Sequence, residues 1–412
     1  MVFVSVLASG PAAADRWQLG GHLKYQYTRI DYRADDLGAL FGDDPADDNS
    51  LDLRLKAERR SGPWDLAAHY ELLALSGDTV ATRRALDAAG FPQRDSPSGL
   101  PDDRRRLFDL TDQLIDKGRT VAVQRLDRLS VGYTSARATL RFGRQALSWG
   151  NGLVFQPLDF VNPFSPFVID KDYKTGDDLL LAQWLPTVRS ELQGIVVPRR
   201  NLDTHAVESA ESTYAAKYRR RFETFGLELL AARHYDEPLA GASVVRSIGG
   251  AVWRLDLSAT DSATEGAVLS VVTNLDYSWT WWDTNFYGYA EYFRNGFGES
   301  DAANYVNPNP GLAARIARGE LFTLARDYLA LGGQVELTPL VNVFVSAVRN
   351  LNDASHVLQL RGVYDWQQDL QLIAGVNLPF GDRGDEYGGI TVAPGAYAAA
   401  GRCAYAGIAR YF

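Results

Sequence analysis

Apolar and polar side chains alternate strictly along most of this chain, and the polar set is heavily charged. From Trp17 the odd positions read Trp17, Leu19, Gly21, Leu23, Tyr25 and Tyr27, against Gln18, Gly20, His22, Lys24, Gln26 and Thr28. That is period two, the mark of a strand with two unlike faces. Leu51, Leu53, Leu55 and Ala57 likewise oppose Asp52, Arg54, Lys56 and Glu58, and beyond Ser61-Gly62-Pro63 a third segment sets Trp64, Leu66, Ala68 and Tyr70 against Asp65, His69 and Glu71. Two-faced strands joined by so short a turn form hairpins. The polar faces carry both signs of charge, among them Lys24, Arg54, Glu58, Glu71, Arg254, Glu291 and Arg361. A packed soluble core does not accommodate so many charges, whereas a water-filled lumen does.

The connections decide the architecture. Tight links at 61–63, 135–137, 338–340 and 365–369 contrast with polar stretches at 31–49, 76–123, 149–177, 296–325 and 379–399. Short turns on one side and long loops on the other predict an all-β fold, a single closed antiparallel transmembrane β-barrel. Tryptophans near strand ends, such as Trp17, Trp64, Trp184 and Trp366, suit an interfacial girdle. Seventeen segments alternate, yet a barrel with both chain ends on one side needs an even number. The short links change sides between Thr224 and Val268, which places the miscount there. About sixteen strands are expected, with eighteen the next count.

Composition narrows the function. With 42 basic against 51 acidic residues the net charge is −9, which disfavours a nucleic-acid-binding surface. No internal apolar run reaches the roughly 18 residues of a membrane helix. Cys403 is the single cysteine, so no intramolecular disulfide forms, and the five histidines show no HExxH spacing. No cofactor, metal or catalytic residue is expected. The acidic run Asp43 to Asp48 could offer oxygen ligands to a divalent cation, but it misses the EF-hand spacing. Residues 1–14 end in small residues and read as a secretory signal without its basic start, leaving 15–412 as one barrel.

Between Trp149 and Lys174 the chain is rich in Gly, Pro, Asn and aromatic residues, as in a loop that folds back and packs. It is expected to narrow the lumen. Trp149, Asp159, Asp170, Lys171, Asp172 and Lys174 would then stand at a constriction, with Arg141 and Arg144 at its root as countercharge or anchor. Tyr287, Tyr289 and Phe293 fall on the lumen face beside Glu291, as stacking groups or wall filling.

The last segment, Cys403 to Phe412, alternates Ala404, Ala406 and Ile408 and stops on Phe412, with Tyr411 adjacent. It resembles the closing strand of Gram-negative outer-membrane barrels. That resemblance implies that Ile408, Tyr411 and Phe412 form the signal read by the barrel-assembly machinery, although Arg410 departs from the usual apolar residue. It also implies an integral outer-membrane location among lipid and lipopolysaccharide. A second run, Leu140-Arg-Phe-Gly-Arg-Gln-Ala-Leu-Ser-Trp-Gly-Asn-Gly to Phe164, is similar to the strand-then-loop segment of porin-like and alginate-export-like barrels. The expected function is a channel for a small or polymeric solute of unidentified kind. A non-conducting barrel that binds a surface ligand or protein partner is the alternative. An outer-membrane hydrolase is the third reading, with no G-x-S-x-G elbow to support it.

Overall fold

The computed structural model describes residues 16–91, 100–167 and 172–412. The expected signal segment 1–14, and Asp170 and Lys171, lie outside the described residues. Eighteen strands make the wall. The first six are β1 (Trp17–Asp31), β2 (Ala46–Ser61), β3 (Trp64–Gly77), β4 (Thr120–Thr134), β5 (Ala138–Gln145) and β6 (Asp177–Thr187). Then come β7 (Ser190–Val197), β8 (Thr213–Arg221), β9 (Phe225–His234), β10 (Glu237–Ile248), β11 (Ala251–Ser262) and β12 (Gly266–Trp281). The last six are β13 (Thr284–Arg294), β14 (Asp327–Thr338), β15 (Val341–Asn350), β16 (His356–Gln367), β17 (Leu370–Phe380) and β18 (Arg402–Tyr411). Each strand runs antiparallel to its neighbour in sequence. The ring closes where β18 pairs with β1, from His22 opposite Tyr411 to Asp31 opposite Arg402.

The eighteen-strand count is thus the one realised, and the overlooked strand is β10, inside the suspected stretch. Two local facts hid it. Its lumen face carries Leu239 and Val245 while its outer face carries Ala240 and Ala242, so the alternation is faint. The turn before it is Tyr235-Asp236, both with positive φ. Such a two-residue hairpin normally announces itself by Asn-Gly or Asp-Gly.

All eight links at one end are two or three residues long, and the start of β1 and the end of β18 lie there. The opposite end carries the long connections, 32–45, 78–119, 146–176, 198–212, 295–326 and 381–401. Among the described residues every α-helix lies in these connections, Leu37–Phe41, Asp78–Ala88 and Pro310–Ala317, as does the short 3-10 helix Ala302–Asn304. No helix among the described residues is long and apolar enough to cross a membrane. The outer face exposes a band that includes Leu19, Leu55, Leu140, Leu269 and Leu331, which suits lipid tails. At its turn end Trp17, Trp64, Trp184, Trp281 and Trp366 stand about half exposed, as girdle residues do.

Candidate functional site

The wall is low at β5, eight residues long, and the chain leaves it at Gln145 to cross the barrel before re-entering at Asp177. Gly152 permits the first turn of this crossing, since a side chain there would collide with the Phe155 carbonyl. Beyond it the backbone is held by wall carboxylates. Leu153 N, Val154 N and Phe155 N donate to Glu291 on β13 at 2.6, 3.0 and 2.8 Å. Asn151 N donates to Asp256 on β11 at 2.6 Å, and Asn274 donates both to Glu291 and to the Asn151 carbonyl. Three consecutive N–H groups on one carboxylate satisfy donors that the loop would otherwise bury unpaired. The aromatics between these anchors pack: Phe155 stacks on Phe293 with centroids 4.6 Å apart, and Leu158 and Phe160 sit among Leu179, Ile195, Leu230 and Leu239.

The return leg is held by charge. Lys174 Nζ donates to both oxygens of Asp159 at 2.6 Å and to the Leu147 carbonyl. Gly176 N donates to Asp127 at 3.0 Å. Deeper in the lumen Lys24 donates to Asp172 at 2.6 Å, Tyr411 Oη donates to the same carboxylate at 2.9 Å, and Lys56 donates to Tyr173 Oη at 3.0 Å. The Arg54 guanidinium lies 4.5 Å from the Tyr173 ring centroid. Burial pushes Asp159 up to about 6 in spite of Lys174, and pushes Lys174 down in spite of Asp159.

Several expected positions therefore serve differently from the expectation. Asp159 and Lys174 were expected to face the permeant, but both are buried and ionically paired. Arg144 is wholly buried and binds Asp178 and Asp103, each at 2.8 Å, so it anchors the 101–110 stretch and β6. Arg141 lies nearer the turn end and donates to Asp65 at 3.1 Å. Trp149 is buried, with its indole N–H donating to Gln193 at 2.8 Å. Among the expected lumen residues, Arg54 and Glu71 are buried in one charge cluster with Asp127 and Arg125. Glu58 meets His69 Nε2 at 2.8 Å, and Arg254 donates to Asp276 at 2.8 Å. Arg361 lies over the Phe344 ring. Glu291 faces inward but is occupied by the crossing loop. On β18, Ile408 is exposed outward, Phe412 lies over Gly21 of β1, and Tyr411 faces the lumen.

Three cavities flank the loop. Above it, a vestibule of about 2090 Å³ opens on the loop side and is lined by Arg104, Arg105, Arg106, Arg199 and Arg318. Asp102 and Glu320, the partners of Arg104 and Arg318, share the lining, while Asp103, Asp177 and Glu211, which pair with Arg106, Arg199 and Arg105, lie off it. Next is a tighter chamber with Phe155, Phe160, Phe164, Phe293, Phe297 and Phe322, and with His234, Glu237, Arg315 and Glu320. Below lies a third space of about 1120 Å³ between Leu153, Val154, Tyr287, Tyr289, Phe344 and Arg361. Vestibule and chamber share Phe160, Pro163, Phe164, Glu320 and Phe322; chamber and lower space share Val154 and Pro166. Arg199 and Arg318 escaped the sequence reading because a loop arginine carries no periodic signal.

No family model matches the chain, and no curated protein matches it in sequence. Solved structures do match in fold. A BenF-like porin from Pseudomonas fluorescens Pf-5 superposes with TM-score 0.54 at 10% identity, over 96% of this chain and 98% of that one. OpdK of Pseudomonas aeruginosa, solved with vanillate, gives 0.51 at 11% identity over 96% and 98%. Wzi of Escherichia coli, an outer-membrane protein involved in group 1 capsule assembly and described as a carbohydrate-binding β-barrel, gives 0.52 at 11% identity over 94% and 83%. The fold is that of outer-membrane porin-like barrels.

Proposed function

We propose that this chain is an integral outer-membrane channel that passes a small anionic solute with an apolar body. The observation that carries the reading is the run of three cavities with shared walls past the crossing loop. Guanidinium groups at the vestibule would draw an anion in, the phenylalanine chamber would hold its apolar part, and Val154 and Pro166 mark the narrow passage below. The porin fold of the BenF-like protein and the vanillate held by OpdK support this direction. Barrel-assembly machinery and outer-leaflet lipid are the partners such a barrel would need.

A second reading is a non-conducting barrel that binds a carbohydrate or a partner. It is favoured by the latching of the loop at both legs and by the likeness to Wzi. We assign no catalytic role. Thr213, His234 and Glu320 form a hydroxyl–imidazole–carboxylate run, but the Thr213 hydroxyl is wholly buried. Planar-bilayer recording separates the readings: discrete current steps with anion-biased reversal potentials support the channel. A reconstituted, heat-modifiable protein that passes no current sinks it and leaves the binding barrel.

A further inference from the structure

On the outer face, at the opposite end of the apolar band from the tryptophans, one arrangement occurs twice. Tyr292 and Arg294 project from β13 onto Asp327 of β14, the hydroxyl donating at 2.5 Å and the guanidinium at 3.4 Å. Tyr27 and Arg29 of β1 meet Asp47 of β2 at the same two distances. In both, the carboxylate and phenol fix one edge of the guanidinium while the rest stays exposed. Arg294 is ten residues from the β13 turn, which at ~3.3 Å per residue and ~40° tilt puts it about 25 Å above that turn, the height of an outer-membrane apolar band.

The surroundings separate the two copies. The Arg29 copy is balanced, since Asp47 pairs with it and Asp31 stands opposite Arg402 in the register. The Arg294 copy holds a surplus of positive charge. Arg349 of β15 stands opposite Leu329, which itself stands opposite Tyr292, so it faces outward on the same patch. It is exposed, with no ion pair among the described residues. Two strand spacings, ~9.6 Å, separate its strand from that of Arg294. With the two-residue offset that the register adds along the strands, the two arginine positions lie about 12 Å apart, and at the upper margin of an apolar wall they fit a ligand with phosphates above and acyl chains below.

We propose that Arg294 and Arg349, with Tyr292 and Asp327 fixing the first, form a binding site for the phosphate groups of a phosphorylated glycolipid of the outer leaflet. Phosphate prefers guanidinium because two N–H groups reach two oxygens at once. Asp327 orients Arg294 and is not a ligand. The site rests on reading the loop end as the outward-facing side of an outer-membrane barrel, but not on conduction.

The test is native mass spectrometry of the full-length protein in detergent, titrated with bis-phosphorylated lipid A, with its dephosphorylated form and with inorganic phosphate. R294Q/R349Q and R29Q are compared with wild type, after each is checked for heat-modifiable migration. Loss of two charge-assisted contacts should weaken lipid A binding at least about tenfold in R294Q/R349Q, while R29Q stays within about twofold of wild type. Dephosphorylated lipid should bind wild type no better than it binds R294Q/R349Q. Equal binding of lipid A by wild type and R294Q/R349Q, an equal loss in R29Q, or saturation by inorganic phosphate alone would overturn the proposal. Because binding is read without a membrane or a current, its failure is distinct from failure of the channel reading.

Discussion

Asp159 and Lys174, fifteen residues apart in the chain, meet at 2.6 Å inside the barrel and close the crossing loop on itself. With Glu291 on the wall holding the outbound leg, the loop is tied once to itself and once to the wall. A loop held by one tie would swing; two ties make it a fixed partition between vestibule and lower space.

Breaking the buried pair should free the loop. Removing one partner of a buried ion pair costs about 3–5 kcal/mol because the other charge is left uncompensated, while replacing both by neutral groups costs far less. K174M should therefore expose 146–176 to limited proteolysis and raise single-channel conductance, and D159N/K174M should recover most of the wild-type resistance. Equal protease resistance in wild type and K174M would show that the pair does not hold the loop.

E291A attacks the other tie. It leaves the N–H groups of 153–155 without an acceptor, at about 1–3 kcal/mol each where buried. The expected outcome is larger and noisier conductance with the barrel still heat-modifiable. The isosteric E291Q, which keeps one acceptor oxygen, should lie between. Identical conductance in all three proteins would place these residues outside the permeation path.

The wall was legible in the sequence wherever one face met lipid and the other water, as along Leu51 to Glu58. It became illegible where that contrast failed. Leu239 faces inward yet is apolar, because the crossing loop brings Leu158 and Phe160 against that part of the lumen. The same cause hid what Glu291 and Asp159 bind. A carboxylate on a lumen face looks identical in sequence whether it meets solvent or a backbone arriving from 136 residues away. The composition of 149–174 did reveal a packed loop, but not its ties, since those depend on long-range register.

The end of the chain should be sensitive to its neighbour on β1. Gly21 and Phe412 exchange backbone hydrogen bonds, Gly21 N donating at 2.8 Å, and a side chain at Gly21 would collide with the Arg54 carbonyl of β2 and meet the Phe412 ring. Deleting Phe412 should lower the amount of assembled barrel in the outer membrane. G21V, with Phe412 intact, should lower it as well, by pressing on the Arg54 carbonyl of β2 and on the ring. Wild-type surface levels of both variants would dissociate the terminal residue from assembly.

Acid should tighten the loop-end cap. Burial, with Asp353 adding to it, pushes Glu386 up to about 7, although Tyr328, Leu324 N and Asn350 donate to it at 2.6, 2.7 and 2.9 Å. An ordinary glutamate sits near 4.3. A carboxyl that holds its proton more tightly when folded makes folding more favourable as pH falls from about 8 toward 4. Hydrogen exchange around 381–389, corrected for its intrinsic pH dependence, should be slower at pH 5.5 than at pH 8, and E386Q should flatten the difference. Faster corrected exchange at pH 5.5 would reverse the sign.

The vestibule provides the most direct reading of charge. Arg104 and Arg318 line it at sites outside the loop ties, so neutralising them leaves the partition intact. R104Q/R318Q removes two positive charges from the entrance, and the permeant-ion balance should move toward cations. Screening sets where the effect is visible: the Debye length is about 10 Å at 0.1 M salt and about 3 Å at 1 M. Reversal potentials in a threefold gradient around 0.1 M should therefore shift in the cation-selective direction, and the shift should shrink near 1 M. A shift of the same size at both concentrations points to altered pore geometry, because steric change is not screened. No shift at 0.1 M would mean that ions bypass this vestibule and that the cavity run is not the path.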